Sequence, residues 1–290
     1  MPTSSGRRLL AVHAHPDDES SKGAGTLARY VAEGAQVTVV SCTGGESGDV
    51  LTAGFALPHR ASRDMAGLRR LEMAAAQAEL GIDHVWLGYV DSGLPPEGEP
   101  LRALSFATIP LEVSGRPLVR LIRRLRPQVV VTYDETGGYP HPDHIRTHEV
   151  TMWAVEHAAQ GLPELGEPWE VQKVYFDRSM SGQRLRALIA ALEESAPHDA
   201  RLPDMRQWSE RIGDRGAALT TRVDIGQHLA ARDAALRAHA SQVEPDSPFF
   251  FWPHDLLLAA WPTDDYELVR SSVPAVDGED DLFAGVEEDR

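Results

Sequence analysis

Two short runs hold the residues whose types and spacing can do chemistry. His13-Ala-His-Pro-Asp-Asp-Glu19 offers His13, His15, Asp17, Asp18 and Glu19, and His141-Pro-Asp-His144 offers His141, Asp143 and His144. Imidazole nitrogens and carboxylate oxygens are the donors of a divalent cation of zinc type, which in hydrolases takes three protein ligands and keeps one position open. A cation so held activates water and polarises a carbonyl, the two needs of amide hydrolysis. Of two adjacent aspartates, one can bind while the other accepts the proton of water. An imidazolium or a phenol can steady the oxyanion, and His141 and Tyr139 are the candidates, with Asp143 placed to orient His141 and keep it charged. Spacing does not choose among the ligands, because His13 and His15 share one strand face and His141 can coordinate as readily as His144.

Both runs must be carried to one place by the surrounding elements. Residues 8–13 (RLLAVH) form an apolar strand that leads into the first run, and residues 22–33 have helical spacing behind it. Residues 36–42 and 84–89 predict further strands, with an alanine-rich helix over 65–80 between them. Residues 118–125 predict a basic amphipathic helix stopped by Pro127, followed by the nearly all-apolar strand QVVVTY over 128–133 and a helix over 147–159. This alternation predicts an α/β fold of Rossmann-like type, a mostly parallel sheet with helices on both faces. In such sheets ligands collect at the carboxyl ends of strands, where both runs fall.

Beyond residue 163 the alternation weakens to strands over 173–177 and 221–225 and a helix over 228–242. The expected organisation is a metal-binding core over 1–165, a smaller C-terminal elaboration over 166–276 that completes the pocket, and an acidic tail over 277–290. That tail carries seven acids against one arginine and reads as a solvated end.

Composition narrows the function. The net charge of −16 disfavours nucleic acid and anionic membrane as partners. No run approaches the roughly 18 apolar residues of a membrane span, so the expected location is cytoplasmic. The single cysteine, Cys42, rules out an intrachain disulfide or a thiolate cluster and reads as a buried small hydrophobe. Gly23-Ala-Gly25 lacks the third glycine of a dinucleotide fingerprint, and neither a Walker loop nor a Gly-x-Ser-x-Gly elbow occurs. His13-x-His15-x-Asp17 is similar to the opening of two-zinc hydrolases, but Asp18 stands where those have another histidine, which points to one metal.

At these residues the sequence resembles the LmbE-like zinc N-deacetylases. The similarity extends over Asp91-Ser-Gly-Leu-Pro95, Gly137-Gly-Tyr-Pro-His-Pro-Asp-His144, Ala235-Leu-Arg-Ala-His239 and Trp261-Pro-Thr263. The resemblance implies His15, Asp18 and His144 as ligands of one Zn2+, with Fe2+ an alternative, and Asp17 as general base. It further implies His141 as acid or oxyanion stabiliser, Tyr139 as a mobile helper, Asp143 as tuner, and Arg69 and Asp91 as contacts to inositol or sugar hydroxyls. For Arg69 and Asp91 the plain alternative is a salt bridge. Lys22 matches the branch of the family that hydrolyses mycothiol S-conjugates, where the deacetylase branch lacks lysine. The implied substrate is therefore a small-molecule thiol conjugate, cleaved to a mercapturate and glucosaminyl-inositol. The alternatives are a pathway-dedicated enzyme acting on a mycothiol adduct of an antibiotic intermediate, a deacetylase of N-acetylglucosaminyl-inositol, and a binding protein that does no chemistry. Thr136 stands where that branch usually has asparagine, which leaves the S-substituent open, as is the oligomeric state.

Overall fold

Alternate residues of β1 (Arg8–His13) enter two different cores: Leu9 and Ala11 pack on one face of the sheet, Leu10 and Val12 on the other. A strand covered on both faces requires this apolar run without polar alternation. β2 (Gln36–Thr43), β3 (Asp83–Tyr89), β4 (Val129–Thr132) and β5 (Lys173–Asp177) continue the parallel sheet. β6 (Thr221–Asp224) and β7 (Thr263–Ser271) close it on an antiparallel edge, giving the order β3-β2-β1-β4-β5-β7-β6. The structure is a computed structural model that describes residues 6–96, 98–212, 218–274, 276 and 278–287.

The helices are α1 (Asp18–Ser21), α2 (Ala24–Ala32), α3 (Pro58–Arg63), α4 (Met65–Leu80) and α5 (Leu111–Leu125), then α6 (Pro142–Ala159), α7 (Gly182–Ser195), α8 (Leu202–Ile212), α9 (Leu229–Ala238) and α10 (His254–Ala260). α2, α4 and α9 supply the core on one face of the sheet, and α5 and α6 the core on the other. α7, α8 and α10 build a third cluster around Leu188, Met205 and Leu257. No helix among the described residues is long and apolar enough to cross a membrane.

From β1 the chain moves outward to β2 and β3, then returns past β1 to β4. Neighbouring β1 and β4 are therefore left in opposite directions, which opens a crevice at their carboxyl ends. Both histidine runs emerge there.

Several expectations are corrected. The second run is not a loop ahead of a helix: α6 begins at Pro142, so Asp143 and His144 lie in its first turn. Proline at a first helical position has its φ preset and lacks only an N–H that would have no helical partner anyway. α5 runs back through Pro117 to Leu111 rather than starting after the proline. The sheet passes position 165 without a break, since β5 pairs with β4. β7 escaped the sequence reading because its opening acids look like surface. Asp264 and Asp265 are in fact buried, accepting from Thr26 and from Trp261 and Thr263.

The acidic segment at the C-terminus is not a solvated end where it is described. Leu282 and Phe283 are buried in the core shared with β1 and α2. Glu279 accepts from Lys173 Nζ at 2.7 Å and from the Tyr175 hydroxyl at 2.8 Å, and Asp281 accepts from Tyr30 at 2.8 Å. Asp277 and residues 288–290 lie outside the described residues. Removing the Glu279 carboxylate strands a Lys173 side chain that is 0% exposed. We expect Glu279→Ala to lower the unfolding free energy by about 3 kcal/mol in a denaturant melt, and a loss within about 0.5 kcal/mol would contradict the anchoring role.

Candidate active site

The first run turns sharply as it leaves β1. Tyr133, at the end of β4, accepts from Ala14 N–H at 3.0 Å through its hydroxyl, which also lies 3.3 Å from His13 Nδ1. His13 is thereby fixed inside the protein, and burial lowers its pKa to about 4. Asp17 then adopts φ 109°, an unusual backbone for a residue with a Cβ. Two contacts hold it: its N–H donates to Glu19 Oε2 at 2.9 Å, and its Oδ2 accepts from Arg69 Nη2 at 3.0 Å. Its carbonyl accepts from the N–H groups of Ser20 and Ser21 in α1, which closes the turn that carries Asp18.

The second run is shaped by Gly137 and by the cap of α6. A Cβ on Gly137, whose φ is +74°, would lie 2.6 Å from His144 Cβ, so glycine is required for the close approach. The Gly137 carbonyl accepts from His144 Nδ1 at 2.9 Å, which turns Nε2 toward the first run. Tyr133 stacks on the His144 ring with centroids 4.5 Å apart. His141 caps the helix: its Nδ1 accepts from the backbone N–H of Asp143 at 3.1 Å.

These placements bring His15, Asp18 and His144 together, with one ligand atom of each within 4.8 Å of the others. Asp18 Oδ2 lies 3.5 Å from His15 Nδ1 and 3.4 Å from His144 Nε2. His144 Nε2 is buried and has no hydrogen-bond partner. A buried ring nitrogen without a hydrogen-bond partner costs free energy that a cation would recover. Asp18 Oδ1 faces the other way and accepts from Lys22 Nζ at 2.6 Å. The arrangement thus fits a divalent cation of the zinc type.

A second possible group, His15, Asp91 and His141, meets the same distance test but is already occupied. Asp91 accepts from the backbone of Ser47 and Gly93, and His15 Nε2 lies 3.4 Å from Asp143 Oδ2.

Electrostatics follow from these contacts. Burial alone would lower the His15 pKa, but hydrogen bonds to Asp143 and Asp18 outweigh it and push the ring up to about 10. Burial would raise Asp18, yet the facing His144 and Lys22 hold it well below the usual carboxylate range. Asp17 is raised by burial, against the opposing pull of Arg69. His141 is lowered to about 4 by burial and by the neighbouring His15 and His144.

The expectation that Asp143 keeps His141 charged is replaced. The Asp143 carboxylate accepts from Ser92 N–H at 2.9 Å and from the Ser92 hydroxyl, and it faces His15. It orients a candidate ligand, while its backbone N–H occupies His141 Nδ1. A neutral His141 then carries its proton on Nε2.

The remaining expected residues are distributed as follows. Tyr139 lies on the rim, 42% exposed, with its ring 4.5 Å from that of His144. Lys22 lines a cavity of about 450 Å³ together with Asp17, Asp18 and Tyr139. Arg69 is buried beneath Asp17 and donates to the carbonyls of Gly45 and Pro16. It is therefore placed to hold the turn rather than open to a sugar. Asp91 is buried against the Ser47 and Gly93 turn.

Sequence reasoning missed the partner that steadies this turn. His239, just beyond α9, meets Glu19 Oε1 at 2.7 Å, and both side chains are 0% exposed. Burial would raise Glu19, but the attraction and hydrogen bond of His239 bring it down to about 2. Glu19 and the Ala-Leu-Arg-Ala-His239 run were both visible as motifs, but no spacing rule pairs residues so far apart.

The fold and site together define a class of α/β proteins with a candidate cation site between two strand ends. The family model described as "PIG-L: GlcNAc-PI de-N-acetylase" matches residues 10–155. A mycothiol S-conjugate amidase of Streptomyces coelicolor is 45% identical over 286 residues, covering 96% of this chain and 97% of that protein. A 1D-myo-inositol 2-acetamido-2-deoxy-alpha-D-glucopyranoside deacetylase of Geodermatophilus obscurus is 45% identical over 295 residues, covering 97% and 98%. Among solved structures, the conserved protein TT1542 of Thermus thermophilus superposes with a TM-score of 0.56 at 26% identity, covering 92% of this chain and 96% of that one. The chain belongs to the PIG-L family, the LmbE-like family that its two histidine runs resemble.

The Glu19–His239 pair yields a signed prediction. Burial lowers the His239 pKa, but Glu19 outweighs it and holds the ring above the ordinary 6.5. Its stabilisation is complete below that ordinary value and is lost as pH rises through the elevated one. His239→Ala should destabilise the protein by about 3 kcal/mol, with a larger gap from wild type at pH about 6 than at about 9. Melts at both pH values check it, and a gap that widens with pH would contradict the ionised pair.

Proposed function

We propose that this protein is a zinc-dependent amidase that hydrolyses the amide of mycothiol S-conjugates, releasing an N-acetylcysteine S-conjugate and glucosaminyl-inositol. The observation that carries this reading over simple deacetylation is Lys22. It is the residue by which the sequence resembles the amidase branch, and it sits beside Asp18 on a cavity of about 450 Å³. The similarity to the Streptomyces coelicolor amidase supports the same reading, and the equally similar Geodermatophilus obscurus deacetylase favours N-acetylglucosaminyl-inositol as the second one.

His15 Nδ1, Asp18 Oδ2 and His144 Nε2 would hold the cation, for which Zn2+ suits the donor set and Fe2+ accepts the same atoms. When bound, the ion supplies Lewis acidity to water and to the scissile carbonyl. Asp17, strapped by Arg69 and by the Glu19 contact to its N–H, accepts the proton of the attacking water and passes it to the leaving amine. His141 donates its Nε2 proton as a hydrogen bond to the oxyanion, since its Nδ1 is taken by Asp143 N–H. Tyr139 offers a second donor from the exposed rim.

Two measurements test this assignment. Asp17→Asn should cut turnover by about 10²–10⁴-fold with metal content unchanged, whereas His15→Ala and His144→Ala should lose bound metal. Loss of metal from Asp17→Asn would make Asp17 a ligand instead. With the zinc-loaded protein, hydrolysis of a bimane conjugate of mycothiol should exceed release of acetate from N-acetylglucosaminyl-inositol, and the opposite ranking would hand the function to the deacetylase reading.

A further inference from the structure

The cavity that begins at Asp17, Asp18, Lys22 and Tyr139 does not stay polar. Its lining also includes six apolar side chains, Leu51, Met180, Leu219, Val243, Phe249 and Phe250. These side chains come from separate stretches of chain, so the wall is not the incidental face of one element. Leu51 is 64% exposed and Met180 36% exposed, although large apolar side chains are normally covered. The Leu51 segment is also pinned, its N–H donating to the Ser241 carbonyl at 2.9 Å, and Phe250 N–H closes a local turn on the Ser247 carbonyl at 3.2 Å. Phe249 and Phe250 meet edge to face with centroids 5.1 Å apart, and Trp208 backs Phe249 at 4.7 Å. A pinned apolar wall with a paired aromatic corner, open to solvent, is the form taken by subsites that receive an apolar group of a ligand.

The cavity also has polar lining besides the reacting groups. Asp134, Asp177, Arg178 and Gln183 line it with Lys22, and Asp134 is paired with Arg178. The cavity volume of about 450 Å³ falls among sites that enclose a whole small molecule, roughly 300–1,000 Å³.

We propose that Leu51, Met180, Leu219, Val243, Phe249 and Phe250 form a specificity subsite for an apolar substituent on the sulfur of the conjugate, preferentially an aromatic one. The proposal rests on the amidase reading given above. It makes the enzyme selective among thiol conjugates: an aryl or bulky alkyl group fills the wall, a methyl group leaves it uncovered, and a carboxylate would lose water beside cations, Lys22 and Arg178, that Asp18, Asp134 and Glu267 already pair. Discrimination in an apolar pocket is worth about 10–200-fold for a modest change in size, which sets the scale of the expected preference.

The test compares kcat/KM of the zinc-loaded full-length protein for three conjugates of mycothiol carrying S-benzyl, S-methyl and S-carboxymethyl groups. The wild type should favour S-benzyl over S-methyl by about tenfold or more, with S-carboxymethyl slowest. Leu51→Ser and Phe250→Ala should each shrink the benzyl-to-methyl ratio severalfold. Leu258→Ser, a change at an exposed leucine of α10, should leave the ratio at its wild-type value. Equal rates for the three conjugates, or a ratio untouched by both wall variants, would overturn the subsite and leave amide hydrolysis standing. Failure to cleave any of the three, with acetate still released from N-acetylglucosaminyl-inositol, would overturn the amidase reading and the subsite together.

Discussion

The Asp18 carboxylate is the group on which the rest of the site depends. One of its oxygens accepts from the backbone N–H of His15 at 3.0 Å and faces both His15 Nδ1 and His144 Nε2. The other takes the Lys22 ammonium. A carboxylate this buried remains ionised only because donors and positive charge surround it. Those donors come from the end of β1, the end of α1 and the first turn of α6. The requirement to surround one anion therefore fixes how the β1 and β4 ends of the sheet meet.

Every further layer supports that meeting. Gly137 permits the approach of His144, and its carbonyl selects which nitrogen of the ring faces Asp18. Ser92 holds the Asp143 carboxylate against the far nitrogen of His15. The strained Asp17 turn is tied by Glu19, which is itself tied to His239 from the C-terminal part of the chain. Partners of this kind orient ligand side chains and are costly to lose. The C-terminal part of the chain thus contributes a strut beneath the reacting turn as well as a wall of the cavity.

The sequence made the parallel half of the fold legible because doubly covered strands such as β4 are unbroken apolar runs and the helices between them keep their periodicity. It made the two histidine runs legible because two clusters of ligand-type residues, each following a strand, seldom occur without a cation to hold. What stayed hidden were contacts made at long range by charged residues. Asp264 and Asp265 look like surface until Thr26, Thr263 and Trp261 are placed against them. Glu279 and Asp281 read as tail charge until Lys173, Tyr175 and Tyr30 are seen to surround them. The role of Asp143 was hidden for a similar reason. Its neighbour in sequence, His141, suggested the pairing, while the helical first turn aims its carboxylate at His15 instead. Binary pattern carries the first kind of information, and tertiary geometry alone carries the second.

The central claim is the position of the cation. Crystals of the metal-loaded protein measured on both sides of the zinc absorption edge would locate it directly. The account predicts one anomalous peak about 2.0–2.2 Å from His15 Nδ1, Asp18 Oδ2 and His144 Nε2. A peak lodged instead between His15, Asp91 and His141, with His144 Nε2 left bare, would contradict it.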